Sequence, residues 1–194
     1  RLQGDWSSDV CSSDLEDELY KTGGGDYLKL FRIFGIEQSP FPVTGMSSIR
    51  SVLPYFNQGQ TILLIHNTYM PEEDLRWAND LAEKNGLRLV YCLCPNANRY
   101  IENHYPPVEM MIRNNAFLVL GTDSYSSNWQ LSIAKEMQSL YTNCRLSREL
   151  LLRMTTSNGA SALGFDDLLG SFQKGKKPGV VRLAADFSSS ERLL

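Results

Sequence analysis

The sequence predicts an α/β fold in which parallel strands alternate with helices. Apolar segments with strand character occupy residues 61–66, 87–94 and 117–120, and they recur about every 30 residues, which is the length of one strand plus one helix. A helical pattern follows each of them. Strands joined through helices pair in parallel, so we expect their carboxyl ends to lie along one edge of a sheet.

The helices between these strands have clear start and stop signals. The first begins at Pro71 and ends at Gly86. Three acidic residues follow Pro71, where negative charge interacts favourably with the positive end of the helix dipole. After Cys94 we expect a long loop, and then a second helix over residues 106–114, again started by proline. A third helix is predicted over residues 129–141, where apolar residues recur at helical spacing.

The flanking segments are also predicted to be mostly helical. Before the first strand, helical patterns occur near Glu16, over residues 27–34 and over residues 47–53, where Ser47 is the expected cap. After the third strand we expect one helix over residues 149–162, turns over 170–179 and a short strand over 180–183.

Residues 1–15 differ in composition from everything that follows. Residues 5–15 read as the translation of a common sequencing adapter, so we interpret residues 1–15 as an artefact and expect them to be disordered. The polypeptide proper is then expected to begin at Glu16, with coding sequence missing before it.

Composition excludes several classes of function. The net charge is −3, and the one basic cluster, at residues 174–177, contains no aromatic residues, so no nucleic-acid partner is predicted. No apolar run is long enough to cross a bilayer, so no membrane association is predicted either. Apart from Cys11, the cysteines are Cys92, Cys94 and Cys144, whose spacing suggests buried thiols and a reducing, cytoplasmic compartment.

His66 and Asp123 are the candidate catalytic residues, because each follows the end of an apolar strand. Gly121 permits close backbone approach, and Thr122 and Ser124 could hold the Asp123 carboxylate by hydrogen bonds. The alternatives are a hydrogen-bonded structural histidine at position 66 and a turn-capping role for Asp123. His104 lies in a proline-rich loop and is interpreted as structural.

Several familiar sites are absent from the sequence. It contains no GxGxxG after a strand, no Walker A loop and no HExxH helix. The segment from Cys92 to Pro95 is not the PCxxC of the small zinc nucleobase deaminases, which also require an HxE that is lacking here.

Four ordered motifs together resemble the C-terminal half of the amidohydrolase superfamily. The closest branch contains cytosine deaminases, chlorohydrolases and S-adenosylhomocysteine deaminases, and the resemblance runs from about Glu16 to at least Val181. The motifs are His66-Asn67-Thr68, Cys94-Pro95-Asn96-Ala97-Asn98, Gly121-Thr122-Asp123-Ser124 with Ser127-Asn128, and Gly170-Ser171-Phe172 with Gly175-Lys176.

The resemblance implies a (β/α)8 TIM barrel that holds one divalent metal, Zn²⁺ or Fe²⁺. It makes Asp123 the metal ligand on the eighth strand and places His66 at the sixth strand, in contact with the water or substrate. Asn96 and Asn98 fall where the family binds substrate, although Ala97 replaces the serine usual between them. The remaining metal ligands of the family, an HxH pair and a fifth-strand histidine, have no counterpart in this chain.

We therefore expect residues 16–169 to form strands six to eight of a barrel with their helices, and residues 170–194 to be the remnant of a small β-sandwich. The intact parent is expected to be a metal-dependent hydrolase of C–N bonds in a small-molecule substrate, for example a deaminase. One ligand cannot hold zinc usefully, so the chain alone is predicted to be inactive. The alternatives are a non-catalytic α/β binding or regulatory module and a barrel hydrolase with different chemistry.

Overall fold

A computed structural model of the chain describes residues 6–7 and 14–193. Helices and strands alternate in its central part, which confirms the predicted α/β class. The described residues form two compact units, one comprising residues up to 89 with 109–116, and the other comprising residues 90–108 with 117 onward.

The first unit contains most of the N-terminal elements. They are β1 (Trp6–Ser7), α1 (Asp14–Thr22), α2 (Tyr27–Ile33), α3 (Ser48–Val52) with a 3-10 turn (Leu53–Tyr55), β2 (Thr61–Ile65) and α4 (Glu72–Asn85). The strand β3 (Arg88–Leu93) begins in this unit, and α6 (Val108–Arg113) lies in it except for its first residue.

The second unit contains the remainder of β3 and the C-terminal elements. They are α5 (Pro95–Glu102), β4 (Leu118–Leu120), α7 (Ile133–Asn143), α8 (Arg148–Thr155), α9 (Ser157–Ala162), β5 (Val181–Leu183) and β6 (Ser190–Arg192).

Strand β2 is the buried strand of the first unit. Ile62 and Leu64 are fully buried on alternate positions, as the two-residue period of a strand requires. Strand β1 pairs with β2 in parallel, with Trp6 opposite Thr61. Trp6 and Ser7 therefore form a short strand inside residues 1–15, the segment expected to be disordered, and α1 begins at Asp14, within the same segment. Residues 1–5 and 8–13 of that segment lie outside the described residues.

Helix α4 follows the predicted start and stop signals. Pro71 precedes it in an extended conformation, its first turn contains Glu72, Glu73 and Asp74, and Gly86 ends it at a left-handed φ of 63°. Its buried face includes Leu75, Ala78 and Ala82, which pack into the core of the first unit.

Strands β3 and β4 form a parallel pair in the second unit. Tyr91 lies opposite Leu118 and Leu93 lies opposite Leu120, and the N–H of Gly121 extends the pair by donating to the Leu93 carbonyl at 2.9 Å. Burial raises the pKa of the Tyr91 hydroxyl above its usual range, because the phenolate would be poorly solvated there. The two strands end together, so helix α5 and the loop after β4 both start from the same edge of the pair.

Two thiols explain the glycine that follows β4: Cys92 lies in β3, and Cys94 follows that strand. A Cβ atom at position 121 would lie 2.9 Å from Cys92 Sγ, which is closer than side chains pack, and 3.2 Å from Cys94 Sγ, which is tighter than usual. Cys92 and Cys94 are buried, and no disulfide joins the cysteines of the described residues, as predicted.

Three predicted elements differ from the structure, and one observed strand was not predicted. The expected loop after Cys94 is helix α5, the helix expected from residue 129 begins at Ile133, and the helix expected over 149–162 is interrupted at Thr156, whose φ of −117° and ψ of −86° are not helical. The C-terminal strand pairs antiparallel with β6, which the sequence pattern did not predict. In the described part of the chain, no helix is both long and apolar enough to span a membrane.

The contact between Gly121 and the two thiols predicts a destabilising substitution. Gly121→Ala should lower the free energy of unfolding by about 1–3 kcal/mol, because the added methyl group overpacks the end of β4. Urea unfolding followed by circular dichroism measures this change. Gly159→Ala is the matched control, since its nearest neighbour would lie at 3.7 Å within a helix, and it should be stabilising by about 0.5–1 kcal/mol.

A second substitution identifies the cause. Cys92→Ala should remove the clash and recover part of the stability lost in Gly121→Ala. Strictly additive effects of the two substitutions would contradict this account.

Candidate functional site

The residues after β2 and β4 have an unusual backbone conformation. His66 and Asn67 have φ of 67° and 54°, and Asp123 has φ of 58°. Few residues with a side chain adopt this left-handed region, and such conformations occur often at functional sites. Both sequence-predicted catalytic residues, His66 and Asp123, therefore adopt the left-handed conformation after strands, as Asn103, Asn115, Arg145 and Phe187 do elsewhere in the described residues.

His66 belongs to the first unit and is partly buried. The next residue, Asn67, is fully buried, and its Nδ2 donates to the Leu64 carbonyl at 2.7 Å while its backbone N–H donates to Ile65 at 2.9 Å. Asn67 Oδ1 and Thr68 Oγ are buried without a hydrogen-bond partner among the described residues. Two buried polar atoms next to His66 can thus bind a water or a ligand group.

Asp123 belongs to the second unit and its side chain is exposed. Its Oδ1 accepts a hydrogen bond of 2.7 Å from the backbone N–H of Ser124, and the Thr122 hydroxyl donates to the Asp123 carbonyl at 3.1 Å. The Ser124 hydroxyl bonds instead with those of Ser126 and Ser127. The carboxylate is oriented by a backbone N–H, where the sequence suggested hydroxyl groups.

Asn96 and Asn98 lie in helix α5, not in the loop where the sequence placed them. Both are buried, and Asn96 donates its backbone N–H and its Nδ2 to Glu136, at 2.9 Å and 3.0 Å. Pro95 occupies the first turn of the helix, a position that proline favours. That proline was the available sequence signal for α5, just as Pro71 was for α4.

Glu136 is the polar residue of this unit that the sequence interpretation missed. Its side chain is fully buried in α7, and its carboxylate accepts from Asn96 and, at 2.8 Å, from Asn128 Nδ2. The signal was present, because Glu136 shares the apolar face of the helix with Ile133 and Leu140 at spacings of three and four residues. A charge on such a face requires polar partners.

Burial raises the pKa of the Glu136 carboxyl, while the hydrogen bonds from Asn96 and Asn128 act in the opposite direction. The pKa of Cys94 is raised as well, first by its hydrogen bond with Cys92 and then by burial and by the nearby charges of Asp123 and Glu136. In this environment the neutral thiol of Cys94 is therefore favoured over the thiolate.

Asn128 connects this buried carboxylate with the loop that carries Asp123. Its Nδ2 donates to the Thr122 carbonyl at 2.6 Å as well as to Glu136, and its Oδ1 accepts from the Gln130 N–H at 3.2 Å. Asn128 is buried, and all of its side-chain polar groups are used.

The residues present do not by themselves form a metal site. Within the described ranges, no group of three or more histidine, cysteine, aspartate or glutamate side chains could hold a metal ion. A structural or catalytic zinc site needs at least three protein ligands. Asp123 offers one exposed carboxylate.

Comparison with known proteins identifies the family. Residues 40–192 match the amidohydrolase family, and the chain therefore belongs to that family, which confirms the resemblance found in the sequence. The chain is 28% identical over 142 residues to the 5-methylthioadenosine/S-adenosylhomocysteine deaminase of Saccharophagus degradans. This match covers 69% of the chain but 30% of the relative, so the chain spans under a third of that relative's length.

Solved structures show a similar fold. The aminofutalosine deaminase of Helicobacter pylori aligns with 89% of this chain and 43% of its own, with a TM-score of 0.66 and 20% identity. A zinc-bound adenosine deaminase of Xanthomonas campestris aligns with 91% of this chain and 35% of its own, with a TM-score of 0.56 and 22% identity. At these identities the likeness establishes the fold.

The raised pKa of Glu136 predicts a pH dependence of stability. Between the usual glutamate pKa of about 4.3 and the raised folded value, the folded state binds more protons than the unfolded state, so the free energy of unfolding falls as pH rises. Glu136→Gln removes this titration. From pH of about 4 upward, wild-type stability should fall relative to that of Glu136→Gln, by at most about 1.4 kcal/mol per pH unit.

Urea unfolding at a series of pH values measures these slopes. Ser139→Ala is the control, because it removes a partly buried hydrogen bond between α7 and Tyr105 without removing a titratable group. The free energy of unfolding of Ser139→Ala should change with pH in the same way as that of the wild type. Parallel curves for wild type and Glu136→Gln would show that Glu136 has the same pKa in both states.

Proposed function

We propose that this chain is the C-terminal part of a metal-dependent amidohydrolase that hydrolyses a non-peptide C–N bond, with deamination of an adenosine-like small molecule as the reaction. The observation that carries the proposal is the pair of left-handed, strand-end residues His66 and Asp123 in a chain of the amidohydrolase family. The name of the relative, a deaminase of 5-methylthioadenosine and S-adenosylhomocysteine, supports the substrate class.

In this proposal β2, β3 and β4 are strands six to eight of a (β/α)8 barrel. The parallel pairing of β3 with β4 and the helices that follow the three strands support this assignment. The antiparallel hairpin of β5 and β6 is the proposed remnant of a small β-sandwich over residues 170–194. In barrel enzymes the carboxyl ends of the strands carry the catalytic residues.

Asp123 is the proposed metal ligand and proton carrier. Its carboxylate is exposed in the loop after β4, and the Ser124 N–H orients it by donating to Oδ1. The bound metal, Zn²⁺ or Fe²⁺, would supply Lewis acidity that makes hydroxide available near neutral pH. Asp123 then accepts the proton of the attacking water and donates it to the leaving amine.

His66 is proposed to contact the substrate or the attacking water. Its partial burial and its fixed left-handed backbone orient the imidazole, as an acid–base or hydrogen-bonding role requires. Asn96 and Asn98 are buried in α5, so any contribution of theirs to substrate binding would act through the position of that helix.

Activity of a longer protein tests the proposal. Asp123→Asn, made in a protein that joins this chain to a segment with the remaining ligands, should lower kcat/KM for 5-methylthioadenosine by about 10² to 10⁴ through loss of proton transfer. Ammonia release measures the rate. Asp166→Asn, an exposed aspartate in the loop after α9, is the matched control and should leave the rate unchanged.

Two results would contradict the proposal. Full activity of Asp123→Asn would remove the role of Asp123. A longer protein that folds and binds zinc but releases no ammonia from any adenosine derivative would favour a non-catalytic binding module.

The chain alone should be inactive. Since the described residues offer no cluster of three metal ligands, titration with Zn²⁺ should give no tight complex at Asp123, and no ammonia should be released. Isothermal titration of the wild type and of Asp123→Asn measures this difference. Tight binding lost in Asp123→Asn would show that the chain completes a metal site by itself.

A further inference from the structure

We propose that Glu136 is a positioning residue for Asp123, which it holds through Asn128 and the carbonyl group of Thr122. The proposal deepens the proposed function, since it assigns a residue that sets the conformation of the catalytic carboxylate. It depends on contacts within the second unit, all of which join buried or partly buried groups.

The first step is the orientation of the Asn128 amide. Its two Nδ2 hydrogens are directed to different acceptors, one to Glu136 Oε1 at 2.8 Å and one to the Thr122 carbonyl at 2.6 Å. Because Glu136 Oε1 can only accept, it fixes the amide with its nitrogen on this side. A reversed amide would place Asn128 Oδ1 against two acceptors.

The second step is the peptide bond between Thr122 and Asp123. A peptide is planar, so fixing the Thr122 carbonyl also fixes the orientation of the Asp123 nitrogen. The strand pairing fixes the chain on the other side, where the Gly121 N–H donates to Leu93. The hydrogen bond from Asn128 therefore stabilises the peptide plane that gives Asp123 its φ of 58°.

The third step is the need for a carboxylate at position 136. Three donors converge on it, namely the backbone N–H and Nδ2 of Asn96 and the Nδ2 of Asn128. A carboxylate accepts at both oxygens, whereas a glutamine amide would place an NH₂ group against at least one donor. Glu136 also takes part in no ion pair of the described residues, so hydrogen bonds alone compensate its burial.

An unpaired buried carboxylate is costly, and an apolar residue would suit the face of α7 better if packing were its only role. Its partners connect α5, α7 and the loop after β4, which carries Asp123. The geometry thus links the one buried carboxylate of α7 with the one exposed carboxylate of that loop.

NMR spectroscopy of the 194-residue chain tests the proposal without relying on catalysis. In Glu136→Gln, the three-bond coupling between the amide and α protons of Asp123 should move away from the value for φ near 58°. Exchange of the Ser124 N–H, which donates to Asp123 Oδ1 at 2.7 Å, should accelerate by about tenfold. Ser139→Ala, which removes a partly buried hydrogen bond of the same helix, should change neither value.

Asn128→Ala is the second variant. It removes the bond to Thr122 but keeps both bonds between Asn96 and Glu136, so it should reproduce the changes at Asp123 and Ser124. Unchanged Asp123 coupling in folded Glu136→Gln or Asn128→Ala would overturn the proposal. Loss of the folded state in both variants, with Ser139→Ala folded, would overturn it as well, because the network would then be a requirement of the fold.

The longer protein separates this proposal from the proposed function. If it releases ammonia, Glu136→Gln should lower kcat by about tenfold or more with KM little changed, since Glu136 does not touch the substrate. If it releases none, the NMR result still decides whether Glu136 positions Asp123.

Discussion

The buried carboxylate of Glu136 is the constraint on which the candidate site of the second unit depends. Desolvation of this group raises its pKa, and the three hydrogen bonds from Asn96 and Asn128 offset that penalty. Since these donors come from α5 and from the loop after β4, satisfying one carboxylate fixes both elements relative to α7. The orientation of the Thr122 carbonyl, and with it the backbone at Asp123, follows from that arrangement.

Backbone strain marks the two proposed catalytic residues in the same way. His66 and Asp123 both have positive φ directly after buried strands, and each conformation is maintained by local hydrogen bonds at its strand end. Asn67 Oδ1 and Thr68 Oγ add buried polar atoms that lack a partner among the described residues. Buried polar atoms of this kind can be satisfied by a bound water or ligand group.

Much of the fold could be predicted because its signals are local. The strand β2, the helix α4 with Pro71 and Gly86 at its ends, and the close approach at Gly121 all follow from periodicity, capping and glycine geometry. Helix α5 was predicted as a loop because Asn96 and Asn98 have low helix propensity, which the buried contact with Glu136 overcomes. The strand β6 was not predicted, because its three residues are all exposed and polar and so show no alternation of apolar and polar residues.

The sequence by itself determined the α/β class, the family, and His66 and Asp123 as candidate residues. Strand ends and ordered motifs can be recognised from short stretches of consecutive residues. Only the tertiary structure decided which polar residue supports Asp123. Asn96, Asn128 and Glu136 are separated by up to 40 positions, and their hydrogen bonds exist only once α5, α7 and the loop have packed together. A glutamate on an apolar helix face indicates that hydrogen-bond donors must offset the cost of its desolvation. Which residues supply those donors is decided only when the elements pack together.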